Sequence, residues 1–148
     1  MSHEITALCT GCTACVRRCP VHAISGERKQ LHRIDPALCI DCGACGRICP
    51  VEAVLDDQKQ TVAHLKPAQW AKPAWDYAGC TACKICVQAC PTGCIAVLAP
   101  PRNGHGFEPG LPYLVRPKDC IACTFCALDC PFDVIRMTAE AVVSPAPG

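Results

Sequence analysis

Cysteine provides most of the chemistry available to this chain. The sequence has 17 cysteines in 148 residues, and sixteen of them fall in four copies of one pattern, C-x-x-C-x-x-C-x-x-x-C-P. Thiolates are soft ligands, suited to iron–sulfur clusters and zinc. Cysteines three residues apart present several sulfurs from one short loop, so each copy predicts a metal-binding loop. The four copies begin with Cys9, Cys39, Cys80 and Cys120.

The pattern resembles the cysteine run of bacterial ferredoxins, whose thiolates hold cubic 4Fe–4S clusters. At four ligands to a cluster, the sixteen cysteines imply four 4Fe–4S clusters. In such a run the fourth cysteine follows a helical turn that points away, and it ligates the other cluster of the pair. The implied sets are Cys9, Cys12, Cys15 and Cys49 for cluster 1; Cys39, Cys42, Cys45 and Cys19 for cluster 2; Cys80, Cys83, Cys86 and Cys130 for cluster 3; and Cys120, Cys123, Cys126 and Cys90 for cluster 4.

Other metal sites fit this pattern poorly. Zinc sites take two ligands from each of two knuckles, which leaves no role for a third cysteine in every loop. Rieske centres have histidine in place of two cysteines, and no ligand position here is histidine. The second ligand position is cysteine in all four copies, so nothing indicates a three-iron cluster.

Cys94 is the one cysteine outside the four copies. Counted from the fourth ligand of each copy, it stands at the position of Ala23, Ala53 and Val134. We therefore expect a small hydrophobic residue packed beside a cluster, with a labile or substitute ligand as the alternative. The preceding position varies in type, which predicts solvent exposure; its residues are His22, Glu52, Gly93 and Asp133.

The repeats also predict the elements that position the loops. The copies start at intervals of 30, 41 and 40 residues, so internal repetition governs the fold. A short helical turn should end each copy, stopped by the proline after the fourth cysteine. These turns are expected over 14–18, 44–48, 85–89 and 125–129. Small β-hairpins are expected to join 24–25 to 31–34, 54–55 to 61–63, and 95–98 to 113–115.

The intervals divide the chain into two halves. Residues 1–66 are expected to form a dicluster domain for clusters 1 and 2, and 73–140 a second one for clusters 3 and 4. Between them, 67–72 is predicted as a linker, because Pro67 begins it and Pro73 follows it. The resemblance implies a small, loop-rich α+β fold of two tandem ferredoxin-like (βαββαβ) domains.

Four further features lie in and around these halves. The second half has an enlarged middle loop, 99–112, either a partner contact or a tolerated insertion. Residues 141–148 are predicted to be a flexible tail. Trp70 and Trp75 are expected to pack the halves together, with contact to a partner as the alternative.

Hydrophobic burial alone is too small to fold these halves. The chain has three Phe, two Tyr and two Trp, and segments below about 40 residues usually need metals or disulfides. We therefore expect the clusters to serve as the core and the metal-free chain to be largely unstructured.

Charge and composition exclude several functions. The net charge is +1 with no basic stripe, which argues against nucleic-acid binding. No apolar run approaches the 18 residues or so of a membrane-spanning helix, so direct membrane insertion is not expected. An odd cysteine count without a secretory leader favours a reducing cytoplasm. Dinucleotide and phosphate loops are missing, and all ligand positions are cysteine, so catalysis is expected on another chain.

From Cys9 to Pro131 the chain resembles four-cluster electron-transfer subunits of multisubunit oxidoreductases. Families of this kind serve molybdenum or tungsten enzymes, hydrogenases and formate dehydrogenases. The compact form of this chain is most similar to the small polyferredoxin subunit of tungsten-dependent aldehyde oxidoreductases. The resemblance implies a non-catalytic subunit of anaerobic metabolism that carries electrons between a catalytic oxidoreductase subunit and a flavin-containing or ferredoxin partner.

Three alternatives stay open at this point. A free, diffusing polyferredoxin is one, although the acidic surface typical of such proteins is missing. An iron–sulfur assembly scaffold is another. Head-to-tail self-assembly through the tandem repeat is a hypothesis compatible with the subunit role.

Overall fold

The computed structural model describes residues 2–97 and 110–139 and forms two compact units, Met1–Trp70 and Ala71–Gly148. The boundary between the units falls within 67–72. Most of the predicted middle loop 99–112 and all of the predicted tail 141–148 lie outside the described residues. No helix in the described part has the length and apolar character that a bilayer crossing requires.

Unit 1 consists of short elements between the cysteine loops. In chain order they are β1 (Glu4–Ile5), α1 (Ala14–Arg18), β2 (Ile24–Ser25), β3 (Arg33–Ile34), α2 (Ala44–Ile48) and β4 (Val54–Leu55). β1 pairs antiparallel with β4, and β2 pairs antiparallel with β3. Ile5 lies opposite Val54, and Ile24 lies opposite Ile34. The helices α1 and α2 pack against each other, so the two cysteine motifs meet.

Unit 2 repeats this order of elements. It contains β5 (Lys72–Trp75), α3 (Ile85–Ala89), β6 (Ile95–Val97), β7 (Pro112–Leu114), α4 (Phe125–Leu128) and β8 (Ile135–Thr138). β5 pairs antiparallel with β8, with Trp75 opposite Ile135, and β6 pairs antiparallel with β7. A 3₁₀ turn at Pro117–Asp119 leads into the fourth cysteine motif. The first strand pair is longer here, four residues on each strand against two in unit 1.

Most of the predicted elements are confirmed. The helical turns begin and end where they were expected, except that α4 ends at Leu128, one residue early. The hairpins β2–β3 and β6–β7 are confirmed as well. The hairpin expected between 54–55 and 61–63 is present only as one antiparallel bridge, Leu55 to Thr61, with backbone hydrogen bonds from Val62 N–H to the Val54 carbonyl and from Asp56 N–H to the Gln60 carbonyl. The strand partner of β4 is the distant β1. Within the predicted linker, Pro67–Gln69 forms a 3₁₀ turn and Lys72 begins β5.

The interior of each unit is made largely of cysteine. Three of the six residues in the core of unit 1 are cysteines, and four of the seven in unit 2. The other members are small or aliphatic; they are Ile24, Ala53 and Val54 in unit 1 and Ile95, Leu114 and Ile135 in unit 2. The core and the candidate site are therefore the same place in each unit.

Trp70 is the largest fully buried side chain of the described residues, and it packs within unit 1. Its ring lies between the guanidinium groups of Arg18 and Arg47, each 5.5 Å from the ring centroid. Its indole Nε1 donates to the carbonyl oxygen of Leu65 at 2.9 Å. Because the arginines lie at the ends of α1 and α2, these contacts fasten the segment after β4 to both helices. Trp75, by contrast, lies in β5 of unit 2.

Candidate metal centres

The cysteine loops share a backbone shape that their residue types do not favour. In each copy three positions have φ between about +51° and +73°, the left-handed region. They lie two residues after the first cysteine, directly after the second cysteine, and three residues after the fourth. Non-glycine residues there cost about 1–2 kcal/mol each. The members that are not glycine are Thr13, His22, Asp41, Glu52, Ala82, Lys84, Ala122, Thr124 and Asp133.

This backbone shape turns amide groups toward sulfur. In unit 1 the N–H of Gly11 donates to Cys9 Sγ at 3.4 Å, and Asp41 donates likewise to Cys39. The fourth cysteines accept the same kind of bond: Ala23 N–H donates to Cys19 Sγ at 3.2 Å and Ala53 N–H to Cys49 Sγ at 3.3 Å. Amide donors of this kind favour the thiolate form over the thiol.

Three cavities are each lined by cysteines drawn from two motifs. One cavity has Cys9, Cys12, Cys15 and Cys49; the second has Cys19, Cys39, Cys42 and Cys45; the third has Cys90, Cys120, Cys123 and Cys126 together with Cys94, a fifth cysteine. The first two groupings coincide with the sets expected for clusters 1 and 2, and the third contains the set expected for cluster 4. We call them cavities 1, 2 and 4. Of the set expected for cluster 3, Cys80 and Cys83 influence Cys86 electrostatically, and Cys130 packs on the core that contains Cys86.

Burial raises the pKa of five thiols in these sets; they are Cys15, Cys42, Cys45, Cys86 and Cys126. Desolvation is the main cause that raises the pKa of Cys15 to about 11 and the pKa of Cys45 and Cys126 to about 12. Charge on neighbouring cysteines adds to the rise, as it does for Cys42 and Cys86. Four adjacent buried thiolates therefore need a strong local positive charge, which metal ions supply when they displace thiol protons.

The donor sets fit a cluster better than a single ion. In 2–97 and 110–139, no three His, Cys, Asp or Glu side chains are grouped so that they could hold one metal ion. The sulfurs instead surround a cavity, with amide donors aimed at several of them. All four ligands at each cavity are soft thiolates, the donor set of a 4Fe–4S cluster.

Cys90 and Cys120 differ from the other cysteines of the sets, because a hydrogen bond from Cys94 is the main cause that lowers the pKa of each, to about 6 for Cys120. The Cys90 Sγ lies 3.4 Å from the Cys94 sulfur and 3.5 Å from the Thr92 hydroxyl oxygen. Hydrogen bonds from Cys94 first, and then from Thr92, lower the pKa of Cys90 to about 4. Cys94 also interacts with Cys120, and these bonds to two thiolates raise the pKa of Cys94. The expected burial of Cys94 beside a cysteine set is confirmed, with 1% of it exposed.

Exposure differs among the cysteines and their surroundings. Only Cys12 and Cys83, the second cysteines of the first and third motifs, are exposed. Near Cys12, Leu8 is 67% exposed and Val51, which lines cavity 1, is also exposed. The four residues three positions after the fourth cysteines are exposed as expected; they are His22, Glu52, Gly93 and Asp133.

Three side chains near the sulfurs were missed by the sequence analysis. His32 is buried with its Nδ1 3.7 Å from Cys9 Sγ, and His3 is buried with its Nδ1 2.6 Å from Asp41 Oδ1. The indole N–H of Trp75 is buried without an oxygen or nitrogen acceptor, and it opposes the rise that burial causes in the pKa of Cys86. Each histidine stands two residues before an isoleucine that faces the core, and that repetition was the available signal.

Family models match a large part of the chain. Two of them, both described as 4Fe–4S dicluster domain, match residues 8–53 and 38–95. The second model includes the second and third cysteine motifs, and the fourth motif lies beyond both models.

The proteins that resemble this chain include two curated proteins and one solved structure. The chain is 33% identical over 63 residues to NADH-quinone oxidoreductase subunit I of Pelobacter propionicus, covering 41% of this chain and 34% of that protein. It is 33% identical over 69 residues to NADH-quinone oxidoreductase subunit I 2 of Geobacter metallireducens, covering 47% and 52%. The chain thus spans about half or less of these relatives.

The solved structure is a chain of the formate dehydrogenase – heterodisulfide reductase – formylmethanofuran dehydrogenase complex from Methanospirillum hungatei. That match has 24% identity and a TM-score of 0.38, and it covers 88% of this chain and 52% of the other.

Proposed function

Because the chain belongs to the family of 4Fe–4S dicluster domains, we propose that it is an electron-transfer subunit carrying four 4Fe–4S clusters. The four crossed cysteine sets are the ligands, and each unit is a βαββαβ dicluster domain. The observation that carries the proposal is that cavities 1, 2 and 4 each bring together three cysteines of one motif and the fourth cysteine of the other motif of the unit. A chance grouping of thiols would not repeat in this form.

The chain's own residues hold and shield the electron carriers. Each bound cluster accepts and releases one electron at a potential set by hydrogen bonds to sulfur and by solvent exposure. The left-handed loop residues aim N–H groups at the cysteine sulfurs, and small aliphatic residues such as Ile24 and Ile95 exclude water around them. The crossed fourth cysteines tie the two motifs of a unit together.

We propose that electrons enter and leave near Cys12 and Cys83, the exposed cysteines of the two units. Two exposed apolar side chains, Leu8 just before Cys9 and Val51 in the lining of cavity 1, suit a protein partner that covers Cys12. A net charge of +1 provides no strong field to steer a diffusing partner, which favours a stable subunit of a complex. The two curated relatives are themselves named as subunits of an oxidoreductase.

The proposed complex joins this chain to a catalytic oxidoreductase subunit on one side and a flavin-containing or ferredoxin partner on the other. A tungsten or molybdenum aldehyde oxidoreductase is the catalytic subunit to test first, since the compact chain resembles the small subunit of such enzymes. The proposed compartment is a reducing cytoplasm, where free thiols persist.

Metal analysis of anaerobically prepared protein tests the cluster count. We expect about sixteen irons and about sixteen sulfides per chain, with the electron paramagnetic resonance (EPR) spectrum of reduced cubanes. The Cys94→Ala variant is the matched control, because it removes a cysteine outside the four sets and should keep the same iron content. Zinc in place of iron, or about eight irons per chain, would contradict the proposal.

The partner is tested by affinity capture from the native host followed by mass spectrometry. A redox enzyme subunit should be recovered in fixed proportion. Leu8→Glu should slow electron transfer to the captured partner, because it puts a charge in place of an exposed apolar side chain near Cys12. Leu38→Glu is the matched control: Leu38 precedes Cys39 as Leu8 precedes Cys9 and is also exposed, but Cys42 of that loop is half-buried. Recovery of a lone monomer would contradict the complex.

A further inference from the structure

His32 lies between solvent and the cysteines of cavity 1. Its side chain is 1% exposed and its Nδ1 is 3.7 Å from Cys9 Sγ. One side of His32 lines cavity 1, and it also lines an open cleft of about 380 Å³ that reaches the surface. Gly26 makes room for it, because a Cβ at Gly26 would come 2.8 Å from His32 Cδ2.

The surroundings of the imidazole determine which nitrogen carries the proton. Nε2 is buried and has no hydrogen-bond partner, whereas Nδ1 faces a sulfur. A proton on Nε2 would leave a buried donor unsatisfied and would set the lone pair of Nδ1 against a thiolate. The neutral tautomer with Nδ1–H satisfies the donor and points it at Cys9.

We infer that His32 donates its Nδ1–H to the Cys9 sulfur and thereby raises the reduction potential of the cluster held at cavity 1. The inference rests on the proposed function. A donated hydrogen bond stabilises negative charge on a cluster ligand, and reduction adds one electron to that centre, so the bond favours the reduced form. The electron comes from the partner or an added reductant, and the proton stays on Nδ1 throughout. His32 is thus a tuning residue and not a ligand.

The chain itself provides comparisons for this role. His3 stands at the related strand position of unit 1, two residues before Ile5, as His32 stands two before Ile34. Its Nδ1 lies 2.6 Å from Asp41 Oδ1, an ion-pair contact, and makes no hydrogen bond to a sulfur in the described part of the chain.

In unit 2, prolines occupy the two corresponding positions, as the strand registers show. Pro73 stands two residues before Trp75, which lies opposite Ile135 as Ile5 lies opposite Val54. Pro112 stands two residues before Leu114. Neither proline has a side-chain donor, so the histidine device belongs to unit 1.

Redox titration of the anaerobic full-length protein, followed by EPR, tests the inference. His32→Leu should move one of the four one-electron steps to lower potential, by a loss of roughly tenfold in its equilibrium constant for reduction, about 59 mV. His32→Asn should retain most of the potential, because its amide N–H can occupy the place of Nδ1–H. His3→Leu is the matched control. In this variant, the reduction step that His32→Leu shifts should keep the potential it has in the unsubstituted protein. In the unsubstituted protein labelled with ¹⁵N-histidine, electron–nuclear double resonance should detect an exchangeable imidazole proton and its ring nitrogen coupled to a reduced cluster, separately from backbone N–H donors such as that of Gly11. His32→Leu should lose that coupling.

The outcomes separate this inference from the proposed function. Four intact reduction steps that are indifferent to His32→Leu, or that fall equally in His32→Leu and His32→Asn, would overturn the inference alone. Absence of the exchangeable proton in the unsubstituted protein would also overturn it, even if neither variant folds. A chain that binds no 4Fe–4S clusters would overturn the proposed function and the inference together.

Discussion

Units 1 and 2 place the same cysteine pattern on the same order of elements, yet they surround the sulfurs with different side chains. Unit 1 has a buried histidine against Cys9 and a tryptophan held between Arg18 and Arg47. Unit 2 instead has Thr92 and Cys94, the buried cysteine outside the four sets, against Cys90. Its first strand pair is also twice as long.

The difference shows which parts of the molecule are constrained by the loops and which are free to vary. The left-handed positions recur in all four copies, although most are not glycine, because amide groups must turn toward sulfur. The strand residues just outside the loops do not determine how the loop backbone turns. Histidine in unit 1 and proline in unit 2 can therefore occupy the same strand positions. Each unit is thereby given its own set of hydrogen-bond donors to sulfur.

Removal of iron should have the largest effect, and it should act on both units alike. Both cores consist largely of cysteines with few large aliphatic neighbours, so chelation should abolish folding of the whole chain. Far-ultraviolet circular dichroism and amide hydrogen exchange would measure it. If unit 2 stayed folded without iron, held by its four-residue strand pair, the two units would differ in what stabilises them.

The cysteines of cavity 4 offer a sharper test within unit 2. Cys90→Ala should lose about four irons or more, because it removes one ligand of a crossed set. Cys94→Ala, four residues further on and in the same cavity, should lose none. Iron analysis of the two purified variants gives the answer directly. Equal iron loss in the two variants would indicate that Cys94 is also a ligand. The two units would then bind their clusters with different sets of cysteines.

The tryptophan of unit 1 should matter for stability alone. Trp70→Ala removes a fully buried ring and two cation–π contacts, so it should lower the free energy of unfolding by about 3–5 kcal/mol. Trp70→Phe keeps most of the packing and loses the bond to Leu65, at a cost of about 1 kcal/mol. Chemical unfolding under anaerobic conditions, followed by visible absorbance, would show clusters lost from unit 1 first. Loss from both units at once would show that the two unfold together.

Smaller changes should make unit 2 resemble unit 1. Thr92→Val and Cys94→Ala copy Val21 and Ala23, which stand at the same positions after Cys19. Each substitution removes one hydrogen bond to the Cys90 sulfur, on the order of 1 kcal/mol, so one reduction step should move to lower potential by roughly fivefold in its equilibrium constant. Potentiometric titration would measure this shift. An unchanged potential in the double variant would mean that these donors do not tune the site.

The smallest effect is expected at the surface of unit 1. The Lys59 ammonium and the Glu4 carboxylate pair across exposed ends, with both side chains more than half exposed. Such pairs contribute between 0 and about 1 kcal/mol, so Lys59→Ala should leave the midpoint of chemical unfolding almost unchanged. A large loss of stability would show that β1 depends on this pair and not on Ile5 in the core.

Sequence reasoning succeeded where a local feature decides the structure. The proline after each fourth cysteine sets the end of each helical turn, and the two-residue strands beside tight turns set two hairpins. It failed at β1, β5 and β8, whose partners lie some 50 or more residues away along the chain. Strands of two to four residues are too short for a recognisable alternation, so pairing over such separations depends on core contacts and not on local preference.

The sequence by itself determined the chemistry of this protein, because cysteine type and spacing are sufficient to specify thiolate loops for iron–sulfur clusters. Only the tertiary structure decided which side chains approach which sulfurs. A strand register and a tight approach to Gly26 bring His32 to Cys9, and the packing of the two motifs of unit 2 brings Cys94 to Cys120. Hydrogen bonds act over a few ångströms, and distances of that size between residues far apart in the chain are set by packing and not by spacing.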